Sequence, residues 1–163
     1  MFKKIVLAVA LAGTVQAGTD LFQPYRGKSV SGVDTKTLTG KVMCGYQGWF
    51  TCEGDGADLG WVHWGGHKGG IPVPGSMVID LWPDVSEYDA DELYDTGFKY
   101  ADGTVAHLFS AHSRKTVLRH FEWMREYGID GAFMQRFAAT LKKPENRRHH
   151  DACLLYTSDA ADE

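Results

Sequence analysis

The chain has 163 residues, 44% of them hydrophobic, with 17 Lys and Arg against 21 Asp and Glu and a formal net charge of −4. That apolar content excludes an intrinsically disordered chain. The acid excess, with no basic run or face, argues against a nucleic-acid partner.

In chain order, Met1–Lys4 is basic, Ile5–Gly13 is apolar, and Val15-Gln16-Ala17 has the small-residue character of a cleavage site. This three-part pattern predicts a secretory signal peptide over residues 1–17, too short for a lasting membrane anchor. The mature protein is expected to begin at Gly18 and to be secreted or periplasmic. Residues 18–40 are polar and Gly/Ser-rich and read as a flexible lead-in.

Val42–Tyr46 is a short apolar run, read as a first strand. Gly45 and Gly48 bracket Tyr46-Gln47, allowing a tight turn or close approach to a ligand. The glycine-rich stretch from Gln47 to Gly70 has no helical period and carries Trp49, Trp61 and Trp64. Any one of these indoles can be ordinary packing, yet three in one loop after a strand suit a sugar-binding cleft, where flat aromatic faces meet the C–H face of a pyranose. Cys44 and Cys52, eight apart, are either a disulfide pair or small buried hydrophobes. His63 and His67 have i, i+4 spacing, but Gly65-Gly66 between them opposes the helix that would align them on a metal.

Met77–Leu81 is a second apolar run, read as a strand with Asp80 and Trp82 at its C-terminal end. Asp80 and Asp84 are either sugar-binding or acid–base carboxylates, or turn acceptors. Asp89–Tyr94 reads as at most a short acidic helix. Phe98–Tyr100 and Val105–Phe109 form a hairpin around Asp102-Gly103. His107, His112 and His120 read as surface or packing residues.

Ser113–Phe137 is the best-determined stretch. Val117, Phe121 and Met124 recur at helical period, Ser113 can cap the helix, and Gly128 can end it in the left-handed conformation. Gly131–Met134 then reads as a strand covered on both faces, as in a parallel sheet. Gln135 and Arg136 follow at its C-terminal end, where α/β folds place ligand-contacting groups; a solvated strand end is the bland alternative. Val42–Tyr46, Met77–Leu81 and Ala132–Gln135 are expected to be parallel neighbours in one sheet. Lys143–Asn146 reads as a turn, and Arg147–Ala152 as the start of a helix whose apolar stripe never develops. The last eleven residues, Cys153–Glu163 (CLLYTSDAADE), resemble the in-frame translation of a sequencing-library adapter.

Taken together, VMCGYQGWFTCEGDG, WVHWGG, MVIDLWPDVSEYD and HFEWMREYGIDGAFMQRF resemble the start of bacterial proteins related to glycoside hydrolase family 99, the endo-α-mannosidase-like (β/α)₈ barrels, some relatives of which are labelled xylosidase/arabinosidase. The resemblance spans residues 41–152. It implies an α/β chain forming about three β/α units of a TIM barrel, acting on a poly- or oligosaccharide by retaining hydrolysis. A carboxylate assists the substrate's own 2-hydroxyl, and a second serves as acid and then base. In that family both carboxylates come late in the barrel, so no catalytic residue is assigned here and this chain is expected to be inactive alone. The implied substrate-binding residues, by position at strand ends, are Tyr46, Trp49, Asp80, Trp82, Gln135 and Arg136. No cofactor or metal is expected. The alternatives are a non-catalytic carbohydrate-binding barrel and a metal-dependent hydrolase using His63, His67 and Asp80.

Overall fold

The computed structural model describes residues 36–65 and 70–161. The expected signal peptide and most of the expected lead-in lie outside the described residues. The described residues form a mixed α/β structure with four strands, β1 (Met43–Tyr46), β2 (Leu93–Lys99), β3 (Val105–Phe109) and β4 (Gly131–Met134), and two helices, α1 (Arg114–Glu126) and α2 (Pro144–Ala161).

Helix α1 follows the local signals closely. Ser113 Oγ accepts the Thr116 amide at 3.3 Å, satisfying one of the unpaired first-turn N–H groups. At the other end Gly128 has φ +77°, and the Gly128 and Ile129 amides donate to the Arg125 and Met124 carbonyls. This is the paired-bond stop that a left-handed glycine permits. The stripe of Val117, Phe121 and Met124 packs on Tyr46 of β1 and on Ala132 and Met134 of β4.

That packing brings β1 and β4 together as parallel neighbours, with Met43 opposite Gly131 and Tyr46 opposite Met134. The expected parallel pairing of Val42–Tyr46 with Ala132–Gln135 therefore holds. The expected third member does not. Met77–Leu81 forms no strand; it bends at Asp80 and Leu81, and the Val78 amide donates to the Trp64 carbonyl at 3.4 Å. Met77 and Ile79 turn into a cluster with Cys52, Trp61, Trp64 and Leu108, while Val78 and Leu81 face outward. Its inward residues are used on the hairpin's core rather than in a ladder. The two-faced cover expected for β4 is also absent, since Phe133 is 58% exposed. Only the α1 side of this strand pair is packed.

The hairpin is longer than expected, because β2 begins at Leu93, inside the segment read as a short acidic helix. Only a single 3₁₀ turn, Ala90–Glu92, precedes it. The Asp102-Gly103 tip is as expected: Gly103 has φ +88° and Asp102 accepts the Thr104 amide at 2.9 Å. The pairing breaks between Asp95 and Lys99, where the Gly97 amide instead donates to the Pro72 carbonyl at 2.8 Å.

The loop of residues 47–65 is ordered without regular structure. Asp55 organises it, accepting the Cys52 and Ala57 amides and the Ser110 hydroxyl at 2.8, 2.7 and 2.6 Å. None of the three cysteines, Cys44, Cys52 and Cys153, is joined in a disulfide. Cys44 lies against the Met124 sulfur and Cys52 donates to the Phe109 carbonyl, which answers the disulfide question in favour of buried small hydrophobes. Helix α2 also corrects an expectation. Its apolar stripe does develop: Ala152, Cys153 and Tyr156 are buried against Tyr46 and Val117. At Gly48 a Cβ would sit 2.0 Å from the Cys153 sulfur, so α2 reaches the end of β1 across a glycine.

Candidate functional site

The C-terminal ends of β1 and β4 bring together several polar groups from distant parts of the chain. The Gln135 amide donates to the Tyr46 carbonyl at 3.0 Å, extending the parallel ladder by one residue. The Trp49 indole N–H then donates to the Gln135 carbonyl at 2.8 Å. These two bonds lock the two strand ends in register. On that base the exposed Gln47 and Gln135 side chains meet, Gln47 Nε2 donating to Gln135 Oε1 at 2.9 Å. The half-exposed ring of Phe137 lies 4.7 Å from the Trp49 ring, and the exposed His63 ring lies 5.3 Å from it on the loop that follows β1.

Arg136 is half-buried beside this lip and forms an ion pair with Asp151 of α2. Its Nε is buried and has no hydrogen-bond partner among the described residues. His150 is buried nearby; desolvation first, and then the Arg136 charge, lowers its pKa below the ordinary histidine value. His63 is lowered by desolvation as well. Both imidazoles are therefore neutral near pH 7, and Asp151 balances Arg136, leaving a lip with no net charge. It can donate and accept hydrogen bonds and present an aromatic face. Among the described residues it holds no unpaired carboxylate, and its amides, neutral imidazoles and aromatic ring can bind a polar ligand.

Of the six residues singled out from the sequence, Trp49, Gln135 and Arg136 are brought together here. Tyr46 contributes its carbonyl, but its side chain is core: the hydroxyl meets His120 Nδ1 at 2.8 Å, and Tyr88 meets the other ring nitrogen at 2.6 Å. Burial raises both phenols and pushes His120 down to about 4, so the imidazole is neutral. A neutral ring donates with one nitrogen and accepts with the other, which suits two hydroxyls. Trp82 belongs with the hairpin, its indole donating to the His107 carbonyl at 3.1 Å and its ring packing on Phe98. Asp80 is exposed and makes no hydrogen bond among the described residues. Asp84 is the turn acceptor, holding the Ser86 amide at 2.9 Å. Trp61 and Trp64 are 2% and 3% exposed, so the sugar-facing role considered for them gives way to packing.

Phe137 and His150 escaped the sequence reading, Gln47 was marked only by its place between Gly45 and Gly48, and His63 was weighed as a metal ligand rather than as a neighbour of Trp49. Among the described residues the one cluster of acidic, histidine or cysteine ligands close enough to share a cation is Asp89, Asp91 and Glu92, and Lys115 and Arg119 already occupy it. His67 lies outside the described residues. Comparison with protein-family models, with curated proteins and with solved structures gives no match to this chain.

Proposed function

We propose that this chain is part of an exported glycoside hydrolase of the endo-α-mannosidase-like (β/α)₈ class, and that the ends of β1 and β4 supply a glycan-binding part of its cleft. The observation that carries this is the locked junction of adjacent parallel strands, where Trp49 holds the Gln135 main chain, the amides of Gln47 and Gln135 meet, and the Phe137 ring packs on Trp49. Ligands bind at the C-terminal ends of strands in parallel α/β folds, and a neutral rim of amides beside an aromatic ring suits a neutral sugar. The quoted motifs point to the same class. In the class they resemble, the catalytic carboxylates come late in the barrel, and the lip described here would supply glycan binding.

A non-catalytic carbohydrate-binding protein is the second reading, favoured by the lack of an unpaired carboxylate on the lip. Titrating the chain with α-mannan fragments and with xylo- and arabino-configured oligosaccharides, while monitoring reducing-end release, tests the proposal. Retention of at least one glycan without turnover is expected. Failure to retain any of the three classes would sink the glycan reading, and turnover above background would overturn the absence of an acid–base pair. Turnover by a longer chain carrying the late-barrel carboxylates separates the enzyme from the binding protein.

A further inference from the structure

Resting on that glycan reading, we infer that Gln47 and Gln135 form one device that reads a vicinal diol of a neutral sugar ring, with Phe137 as its apolar neighbour. In the pair, one N–H of Gln47 Nε2 donates to Gln135 Oε1 at 2.9 Å. Gln47 Oε1 remains as an outward acceptor and Gln135 Nε2 as an outward donor, both on exposed side chains. Exchanging oxygen and nitrogen in both amides leaves the same result, one accepting edge beside one donating edge. The complementarity therefore survives the ambiguity inherent in amide orientation.

Two adjacent hydroxyls satisfy both edges together, because each hydroxyl donates once and accepts as well. A carboxylate satisfies only the donating edge, and an ammonium only the accepting one. The neutral Arg136–Asp151 pair beside the lip adds no preference for a charged ligand. Phe137, 47% exposed and backed by Trp49, offers the flat apolar face that a pyranose presents its C–H side to. The platform is stiff because its anchors are main-chain groups: the Gln135 amide on the Tyr46 carbonyl and the Gln135 carbonyl under the Trp49 indole. Alanine at 47 or 135 leaves those anchors in place, so the device can be removed without unfolding its support.

The test is calorimetric titration of the full chain, and of Gln47→Ala, Gln135→Ala and the double variant, with the glycan it retains best and with monodeoxy analogues of that sugar. Near-UV circular dichroism checks that each variant keeps the parent fold. Each single alanine is expected to weaken binding about tenfold, the worth of one well-placed hydrogen bond whose partner is left unpaired. The double variant should be little worse than either single one, because the two amides act as a unit. Removal of either hydroxyl of the diol should cost the parent a similar factor and the double variant almost nothing. Unchanged affinity in both single variants of a glycan-binding parent overturns the device while the glycan reading stands. A primary amide such as propionamide competing as well as the sugar overturns the ligand class. A parent that retains no glycan overturns both.

Discussion

Replacing Arg119 by Ala should be the most damaging single polar change in this fold, and its cost should depend on pH with a definite sign. Glu92 is fully buried. Arg119 Nε reaches both of its oxygens at 3.2 Å and Nη2 reaches Oε2 at 2.6 Å, with further bonds to that carboxylate from the Thr116 hydroxyl and the Asp89 amide, each 3.1 Å. Burial alone would raise the Glu92 carboxyl, but the Arg119 bonds, the Asp89 amide, Thr116 and the guanidinium charge together bring it below the usual carboxylate range. Taking one partner from a buried ion pair costs ~3–5 kcal/mol. The Arg119 side chain is 21% exposed and Lys115 remains 3.9 Å from Glu92, so ~3 kcal/mol is the expected loss near neutral pH. Glu92→Ala should cost less, since the guanidinium left behind can turn to Asp89 and to water.

In the parent, the depressed Glu92 pKa contributes stability that is present above its ordinary value of 4.5 and lost as pH falls through the folded value. In Arg119→Ala burial prevails and the folded pKa rises above that of the unfolded chain. The variant's carboxylate then binds its proton more readily when folded, so its penalty is largest near neutrality and shrinks on acidification. Urea unfolding followed by tryptophan fluorescence, at pH values of about 7.5 and about 4.5, measures both quantities. A penalty under roughly 1 kcal/mol near neutrality, or one that fails to shrink in acid, would refute the account.

Two further outcomes are expected. His120 titrates near 4 when folded because burial disfavours its charge, so the unfolded chain binds the extra proton first and stability is lost as pH falls from about 6.5 through about 4. The full effect is on the order of 3 kcal/mol, and in His120→Gln the slope of stability against pH over that window should flatten; an unchanged slope would count against the buried neutral ring. Gly97→Ala should lower the thermal midpoint and release the Pro72–Val73 segment, because a Cβ there would sit 2.5 Å from the Val73 side chain and 2.9 Å from the Pro72 carbonyl. An overpacking cost of ~1–3 kcal/mol is expected, with faster amide exchange at Gly97 neighbours as the local readout.

What the sequence determined by itself is everything whose cause lies within one turn or one hairpin. Ser113, the Val117–Phe121–Met124 stripe and Gly128 specify α1 and both of its ends, because caps and helical period act between residues three or four apart. Asp102-Gly103 specifies the hairpin tip for the same reason. The pairing of β1 with β4 was legible too, from the continuous apolar character of both runs, and α1, which leads into β4, covers the pair. The fate of Met77–Leu81 was not. A short run with four apolar residues in five is equally at home in a ladder or packed on a core, and only the tertiary fold, which turned Met77 and Ile79 onto Trp61 and Trp64, chose the second. The stripe on α2 likewise became visible only once Tyr46 and Val117 stood opposite it. At the candidate site the sequence marked Gln135 and Arg136 as the polar end of a strand. Gln47 lies 88 residues from Gln135, and Glu92 lies 27 from Arg119. Amides and charges at such separations carry no periodic signal, so tertiary structure alone joined one pair into a lip and buried the other as an ion pair.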